Sequence, residues 1–323
     1  MIKRRSVLAG VGWTIVGASA VRAQAWPTQQ VRIVVPYIPG GATDTAGRVL
    51  AEKMTALLGQ QVIVENKGGG NTIIGMDMVA KSKPDGHTLL LGTTTLATNA
   101  ALGLKQPYDP LKDFQPISTV ADIPDMVAVH PSIPVKTLPE LVDWLNKQPD
   151  KTRYGTSGVG NQPHLWAELL RSRLNMKMEN VAYKGVADTL RDVLAGHVPI
   201  IIDVVLPTGN HVAAGRLTGI CVASPERSTI CPTVPTVGEL GMKDMESAVF
   251  YGLVAPAGVP RPVIDKLNGL VHEAIKDPAV IKKYSDLGFF MTGSTPEAYM
   301  EKLKFETARW TKVVKDNGIK VEG

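Results

Sequence analysis

The sequence predicts an α/β fold built as two lobes, each a mainly parallel sheet flanked by helices, with a ligand cleft between them. Three observations lead there. Apolar runs of four to six residues alternate with stretches of helical periodicity along most of the chain, which is the pattern of strand, helix and strand in a parallel sheet. A strand that runs through glycines straight into a helix occurs twice, at 32–48 and again about 115 residues later at 153–173. The chain has 323 residues, and that length favours two lobes over one.

The first 23 residues, MIKRRSVLAGVGWTIVGASAVRA, are a basic start, an apolar stretch from Val7 to Ala20 and small residues at Ala18, Ala20 and Ala23. This is the form of a secretory signal peptide, and it implies a periplasmic protein. Arg4 and Arg5 match the pair of a twin-arginine leader, although ordinary leaders are basic too. The net charge of +5 falls to about +1 without Lys3, Arg4, Arg5 and Arg22, so the basic balance belongs to the leader and argues for no nucleic-acid partner.

Beyond the leader, Arg32–Val35 reads as a buried strand. Ala46, Val49, Leu50, Met54, Leu57 and Leu58 follow at helical spacing, with Gly59 placed to end the helix. Thr43 or Asp44 is the expected N-cap. The first-turn N–H groups of such a helix have no internal partner and, with the helix dipole, favour an anion; Gly40 and Gly41 let one come close to the backbone. A tight strand-to-helix turn is also what any doubly wound fold needs, and it is the second copy that favours a ligand site. QVIVEN at 61–66 is a second strand, 73–80 a short helix, KPDG at 83–86 a turn, and TLLLGTTTLATN at 88–99 a strand ending in hydroxyls that include Thr93 and Thr95.

Proline-rich connections occupy 106–117 and 130–140, with DMVAVH at 125–130 as a short strand crossing between lobes. TLPELVDWLNKQP is a capped amphipathic helix. In RYGTSGVGNQPHLWAELL, Asn161 is the expected N-cap, Pro163 suits the first turn, and Thr156 and Ser157 add hydroxyl donors. Strand, helix and strand repeat over 180–205 and end at Asp203. VFYGLVAPAGVP at 249–260 returns to the first lobe, and helical spacing at 263–275, 279–287 and 296–314 is expected to pack there. The lobes are therefore expected to be 24–124 with 250–323, and 125–249.

The residues weigh against an enzyme. A nucleophile elbow is missing, because valine stands two places after Ser157. Ser157, His164 and Asp203 are the residue types of a triad, but nothing in their spacing forces contact. There is no phosphate loop, and the six histidines are scattered without metal-ligand spacing, so no metal or cofactor is expected. A disulfide between Cys221 and Cys231 is permitted by export, while the apolar run around Cys221 suits a buried thiol.

The motifs PYIPGGATDTAGR, QVIVENKGGGNTIIG, KPDGHTLLLG, PYDPLKDFQPIS, YGTSGVGNQPHLWAELL, AYKG, VPTVGELG and YGLVAPAGVP resemble, in that order, the Bug (TctC-like) solute-binding proteins of tripartite tricarboxylate transporters. The resemblance covers essentially the whole mature chain. It implies a type II periplasmic-binding fold, no catalysis, and a carboxylate held between the glycine loops of two lobes. On the matching positions it places Gly40, Gly41 and Asp44 in the first loop, Thr156, Ser157, Gly160 and Asn161 in the second, and Asp203 on the cleft wall. Tyr37 in the first motif, Thr93 and Thr95 at a strand end, and His164 beside Asn161 complete the expected ligand-binding set. The chain departs from the family pattern at Asn161, where Ser or Thr is usual, at Ala182, where proline is usual, and at Ile38. The expected protein is a monomeric receptor that passes an organic carboxylate, such as a di- or tricarboxylate or an aromatic diacid like terephthalate, to membrane components of such a transporter. A sensory receptor that presents its ligand to a signalling protein is the alternative, and a periplasmic hydrolase the third.

Overall fold

A computed structural model describes residues 26–321; the expected leader lies outside them. Strand β1 (Val31–Val35) is wholly apolar on its buried positions and leads into α1 (Ala42–Leu58), which Gly59 ends in the left-handed conformation at φ 67°. The other elements of the first lobe are β2 (Val62–Asn66), α2 (Ile73–Ala80), β3 (Thr88–Thr93) and α3 (Thr95–Ala101). The expected strand over 88–99 therefore stops at Thr93. Beyond it the hydroxyl-bearing residues stand at the start of a helix.

Strand β4 (Phe114–Val129) is longer than the sequence suggests. It takes in both the end of the proline-rich connection and the expected short strand at 125–130. Pro116 and Pro124 lie within it; its register against β9 (Ala248–Pro256) shifts beside Pro116, where irregular pairing absorbs the missing N–H donor, and Pro124 stands at the end of that pairing. After β4 come α4 (Leu138–Lys147), β5 (Thr152–Thr156), α5 (Gln162–Arg173), β6 (Met178–Ala182), α6 (Val186–Leu194), β7 (Ile200–Val204), α7 (Val205–Ala213) and β8 (Thr218–Val222). Helix α4 begins with a reciprocal cap between Thr137 and Glu140, as the sequence leads one to expect.

The strands join in the order β2-β1-β3-β9-β4-β7-β5-β6, with β8 and the short β10 (Phe290–Met291) also on β4. The outer trios are parallel, whereas every pairing of β4 and β9 is antiparallel, so the centre departs from the mainly parallel expectation. The two central strands are the connections between lobes, and antiparallel pairing is what a chain that goes out and comes back produces. Residues Phe114–Pro124 of β4 pair with β9, and Asp125–Val129 pair with β7. Because β3 and β4 run the same way and β7 runs against β4, the carboxyl ends of the first lobe's strands point toward the second lobe, and those of the second point back.

Helices α8 (Arg261–Ala274) and α9 (Pro278–Asp286) lie on α1 as expected. Helix α10 (Pro296–Asn317) does not stay on the first lobe. It contacts α3, β4 and α5, and its Trp310 and Val313 join the apolar cluster that holds Trp166, Ile200 and Ile220. Fully burying side chains of this size stabilises by about 1.5–3 kcal/mol each, so the last helix ties the lobes on one side. Cys221 and Cys231 are buried free thiols, and burial pushes Cys221 up to about 12.

Candidate functional site

In the first lobe, the turn between β1 and α1 divides the work between its two glycines. Gly40 is at φ 87°, where an L side chain would be strained, and its N–H donates to Asp44 Oδ2 at 2.9 Å. Gly41 is extended and is itself the N-cap, with no side-chain capping bond. Neither Thr43 nor Asp44 caps α1 as expected. Both already lie within its first turn, and Asp44 reaches back to the loop instead. Its carboxylate also pairs with Arg48 and accepts from Asn66 Nδ2 at 2.9 Å. Burial raises the Asp44 pKa, but Arg48, Gly40 and Asn66 outweigh it and hold the carboxyl below its ordinary value. The result is a negative charge neutralised inside the loop and an uncapped helix start outside it.

A chain of hydroxyls lines the ends of β1 and β3. Tyr37 Oη meets Thr93 Oγ1 at 3.0 Å, Thr93 meets Thr95 at 2.9 Å, and Thr72 donates to Thr95 at 3.0 Å. Thr72 is the residue that sequence reasoning missed. It sits at φ 72° before α2, after the Gly68–Gly70 run, and that glycine run was the available signal.

In the second lobe, Asn161 caps α5 as expected: its Oδ1 accepts from His164 N at 3.0 Å. Its Nδ2 donates to Ser157 Oγ at 2.9 Å, so the serine oxygen accepts there and its proton remains a donor. Asp203 is 1% exposed and takes the Ser157 N–H at 2.8 Å and the Val204 N–H at 2.9 Å. Burial, only partly offset by those bonds, pushes its carboxyl up to about 6. Thr156 pairs with Asn180 at 2.9 Å. His164 is buried and its Nδ1 accepts from Gly160 N at 2.9 Å, so burial keeps the ring neutral. Ser157, His164 and Asp203 therefore form no catalytic relay: the serine reaches Asp203 directly, through its backbone N–H and its side chain, and the histidine that would stand between them in a triad faces Gly160 instead.

The expected residues thus fall into two groups. Gly41, Tyr37, Thr95, Ser157 and Asn161 keep accessible surface, whereas Asp44, Thr93, Thr156, His164 and Asp203 are buried and hold the loops. Gly40 is exposed but spends its N–H on Asp44, and Gly160 is buried with Leu102, the residue that ends α3, at 2.8 Å from where a Cβ would lie. The two sets share no hydrogen bond with each other, but both end at the crossing. Thr93 pairs with Tyr251 three residues into β9, and Asp203 pairs with Met126 just past the change of partners in β4.

A cavity of about 570 Å³ also lies at the crossing, lined by residues including Asp122, Glu246, Met291 and Arg309 and by no residue of either glycine loop. Its size alone does not make it the site. Asp122 is tied to Lys302 at 2.8 Å through Oδ2, its Oδ1 having no partner, and Arg309 donates to the Glu246 carbonyl at 2.8 Å, so that ion pair is already made, whereas α1 starts without a side-chain cap. Among the described residues no cluster of metal-ligating side chains occurs, and no helix is long and apolar enough to cross a membrane.

The chain is similar to known proteins along most of its length. The model of the tripartite tricarboxylate transporter family receptor matches residues 46–319. The chain is 32% identical to the protein BugT of Bordetella pertussis over 94% of this chain and 94% of that one. Among solved structures, R. palustris Rpa4515 with adipate is 32% identical, covers 91% of this chain and 99% of its own, and superposes with a TM-score of 0.77. MatC from Rhodopseudomonas palustris with bound malate is 29% identical, with 90% and 100% covered and a TM-score of 0.73.

Proposed function

We propose that this chain, which belongs to the tripartite tricarboxylate transporter receptor family, is an exported receptor that captures an organic carboxylate between its lobes and delivers it to the membrane components of such a transporter. The members of this family are receptors and not enzymes. The observation that supports the reading is the pairing of an uncapped helix start at Gly41 with the partly exposed, hydrogen-bonded pair of Ser157 and Asn161, on strand ends that point toward one another. One end of a dicarboxylate meets the first-turn N–H groups of α1, with Tyr37 and Thr95 beside it. The other meets Ser157 and Asn161. Asp44, Gly40, Thr93, Thr156, Gly160, His164 and Asp203 set the shape of the two loops.

The lobes in this reading are 24–124 with 250–323, and 125–249, joined by β4 and β9. The leader sends the protein to the periplasm, where it works as a monomer. Adipate and malate, bound by related proteins, set the size range of acid to try first. Several charge-assisted hydrogen bonds, each contributing about 1.5–3 kcal/mol, reach micromolar affinity at about −8 kcal/mol after the costs of ordering. The test is a thermal-shift screen of mono-, di- and tricarboxylates, each beside its neutral amide. A binding acid at 100 times its Kd stabilises by about 2.7 kcal/mol. Stabilisation by the amides as strongly as by the acids defeats the anion-binding reading, and turnover of ester substrates defeats the receptor reading.

A further inference from the structure

Three residues that connect the crossing strands to α5 form one buried chain. Gln162, the first residue of α5, donates from Nε2 to Ser247 Oγ at 2.7 Å, and Ser247 Oγ donates to Asp125 Oδ2 at 2.7 Å. They are 3%, 5% and 0% exposed. Asp125 is the residue at which β4 changes partners from β9 to β7, and Ser247 immediately precedes β9, the returning strand. The backbone closes the same junction: Asp125 N–H donates to the Ser247 carbonyl and Ala223 N–H to the Asp125 carbonyl. Trp166, one turn into α5, adds a bond from Nε1 to the Met245 carbonyl at 2.8 Å.

We infer that Gln162, Ser247 and Asp125 are positioning residues, a buried relay through which the two strands crossing between the lobes set the start of α5 and so the Ser157–Asn161 loop. A polar chain this deep in the protein is costly unless each bond is made, so it specifies one arrangement of the loop relative to the crossing. The atoms left without a partner are Asp125 Oδ1 and Gln162 Oε1. Asp125 faces Ser247, Asp203, Arg309 and Glu306, and burial pushes its carboxyl up to about 7. Any change in how β4 and β9 meet at the junction is transmitted to the loop by this route. The inference rests on the loop being the ligand-binding element, but its test does not need a ligand.

The test is amide hydrogen exchange on the ligand-free protein at the four N–H groups of the loop and helix start: Ser157, Gly160, His164 and Leu165. Ser247→Ala and Gln162→Leu should each lower protection there about tenfold or more. The double variant should be no worse than the worse single, because either change breaks the same chain. Amides of β1 should keep their protection. The closed state holds the Asp125 proton more tightly than an opened one, so protection should fall as pH rises from 5 to 7, and Asp125→Asn should reduce that slope, leaving the part that belongs to Asp203. Unchanged protection, additive losses, an equal loss in β1 or an unaltered slope in Asp125→Asn each overturns the relay. If Ser247→Ala fails to fold, the Gln162→Leu and Asp125→Asn arms decide it. Failure of every carboxylate in the thermal-shift screen, with the relay results intact, would count against the receptor reading alone.

Discussion

Asn161→Asp separates two roles that one side chain performs. Asn161 Oδ1 caps α5 by accepting from His164 N, and its Nδ2 fills a lone pair of Ser157. Aspartate is as good a cap as asparagine, and a charge at a helix N-terminus adds about 0.3–1 kcal/mol, so the variant should fold with its melting temperature unchanged or slightly raised. Binding should respond in the opposite sense. The donor that orients Ser157 is gone, which puts at risk a bond to the ligand worth about 1.5–3 kcal/mol. A carboxylate about 5 Å away, at an effective dielectric of about 20, repels an anionic ligand by about 3 kcal/mol. Either loss alone is at least tenfold, and together they exceed about a hundredfold in Kd. Calorimetric titration with the tightest carboxylate from the screen measures this, with Ser157→Ala, expected about ten- to a hundredfold weaker, as the companion. A folded Asn161→Asp protein that binds within about threefold of wild type refutes the placement of ligand at Ser157 and Asn161.

Further outcomes follow from the same geometry. Gly41→Val should fold normally, since Gly41 is extended and a Cβ there meets nothing within 4 Å, yet lose binding by obstructing the helix start; calorimetry beside circular dichroism checks both. Gly40→Ala places a Cβ at φ 87° and should cost about 1–2 kcal/mol in denaturant unfolding, whereas a neutral result would show that the loop relaxes freely. Gly252→Ala brings a methyl within 2.4 Å of the buried Tyr299 ring, and overpacking of that kind should cost about 1–3 kcal/mol without altering ligand ranking. Asp125 and Asp203 are raised to about 7 and about 6, above the unfolded carboxylate value near 4, so the folded state holds their protons more tightly. Their contribution to stability is greatest below pH 4 and is lost as pH rises to about 7, and Asp203→Asn should reduce that slope in urea titrations. Carboxylate affinity should weaken across pH 5 to 7 for the same reason, an ionised Asp203 lying behind the serine that meets the anion.

Local chemistry was legible because it depends on neighbours in sequence. Strand β1, the helix end at Gly59, the Asn161 cap and the Thr137 capping box need only residues within a turn of one another, and the chain order of motifs carried the family. Where the partner is distant, the sequence was silent or misleading. Asp44 looked like a cap and proves to be a loop brace, because Arg48 and Asn66 claim its carboxylate; Asn66 reaches it from the end of β2. The 88–99 run read as one strand because threonine suits strands, but packing against α10 favours a helix after Thr94. The length of β4 was hidden by its two prolines: a register shift against β9 lies beside Pro116, and Pro124 stands where the strand changes partners. The sequence by itself determined two glycine-led helix starts, each suited to an anion. That the strand ends leading into them point toward one another across a crossing, and that Gln162, Ser247 and Asp125 meet beneath the second, was decided by the tertiary structure alone: β4 and β9 run antiparallel through the centre, and where they meet Ser247 and Asp125, 122 positions apart, share a hydrogen bond.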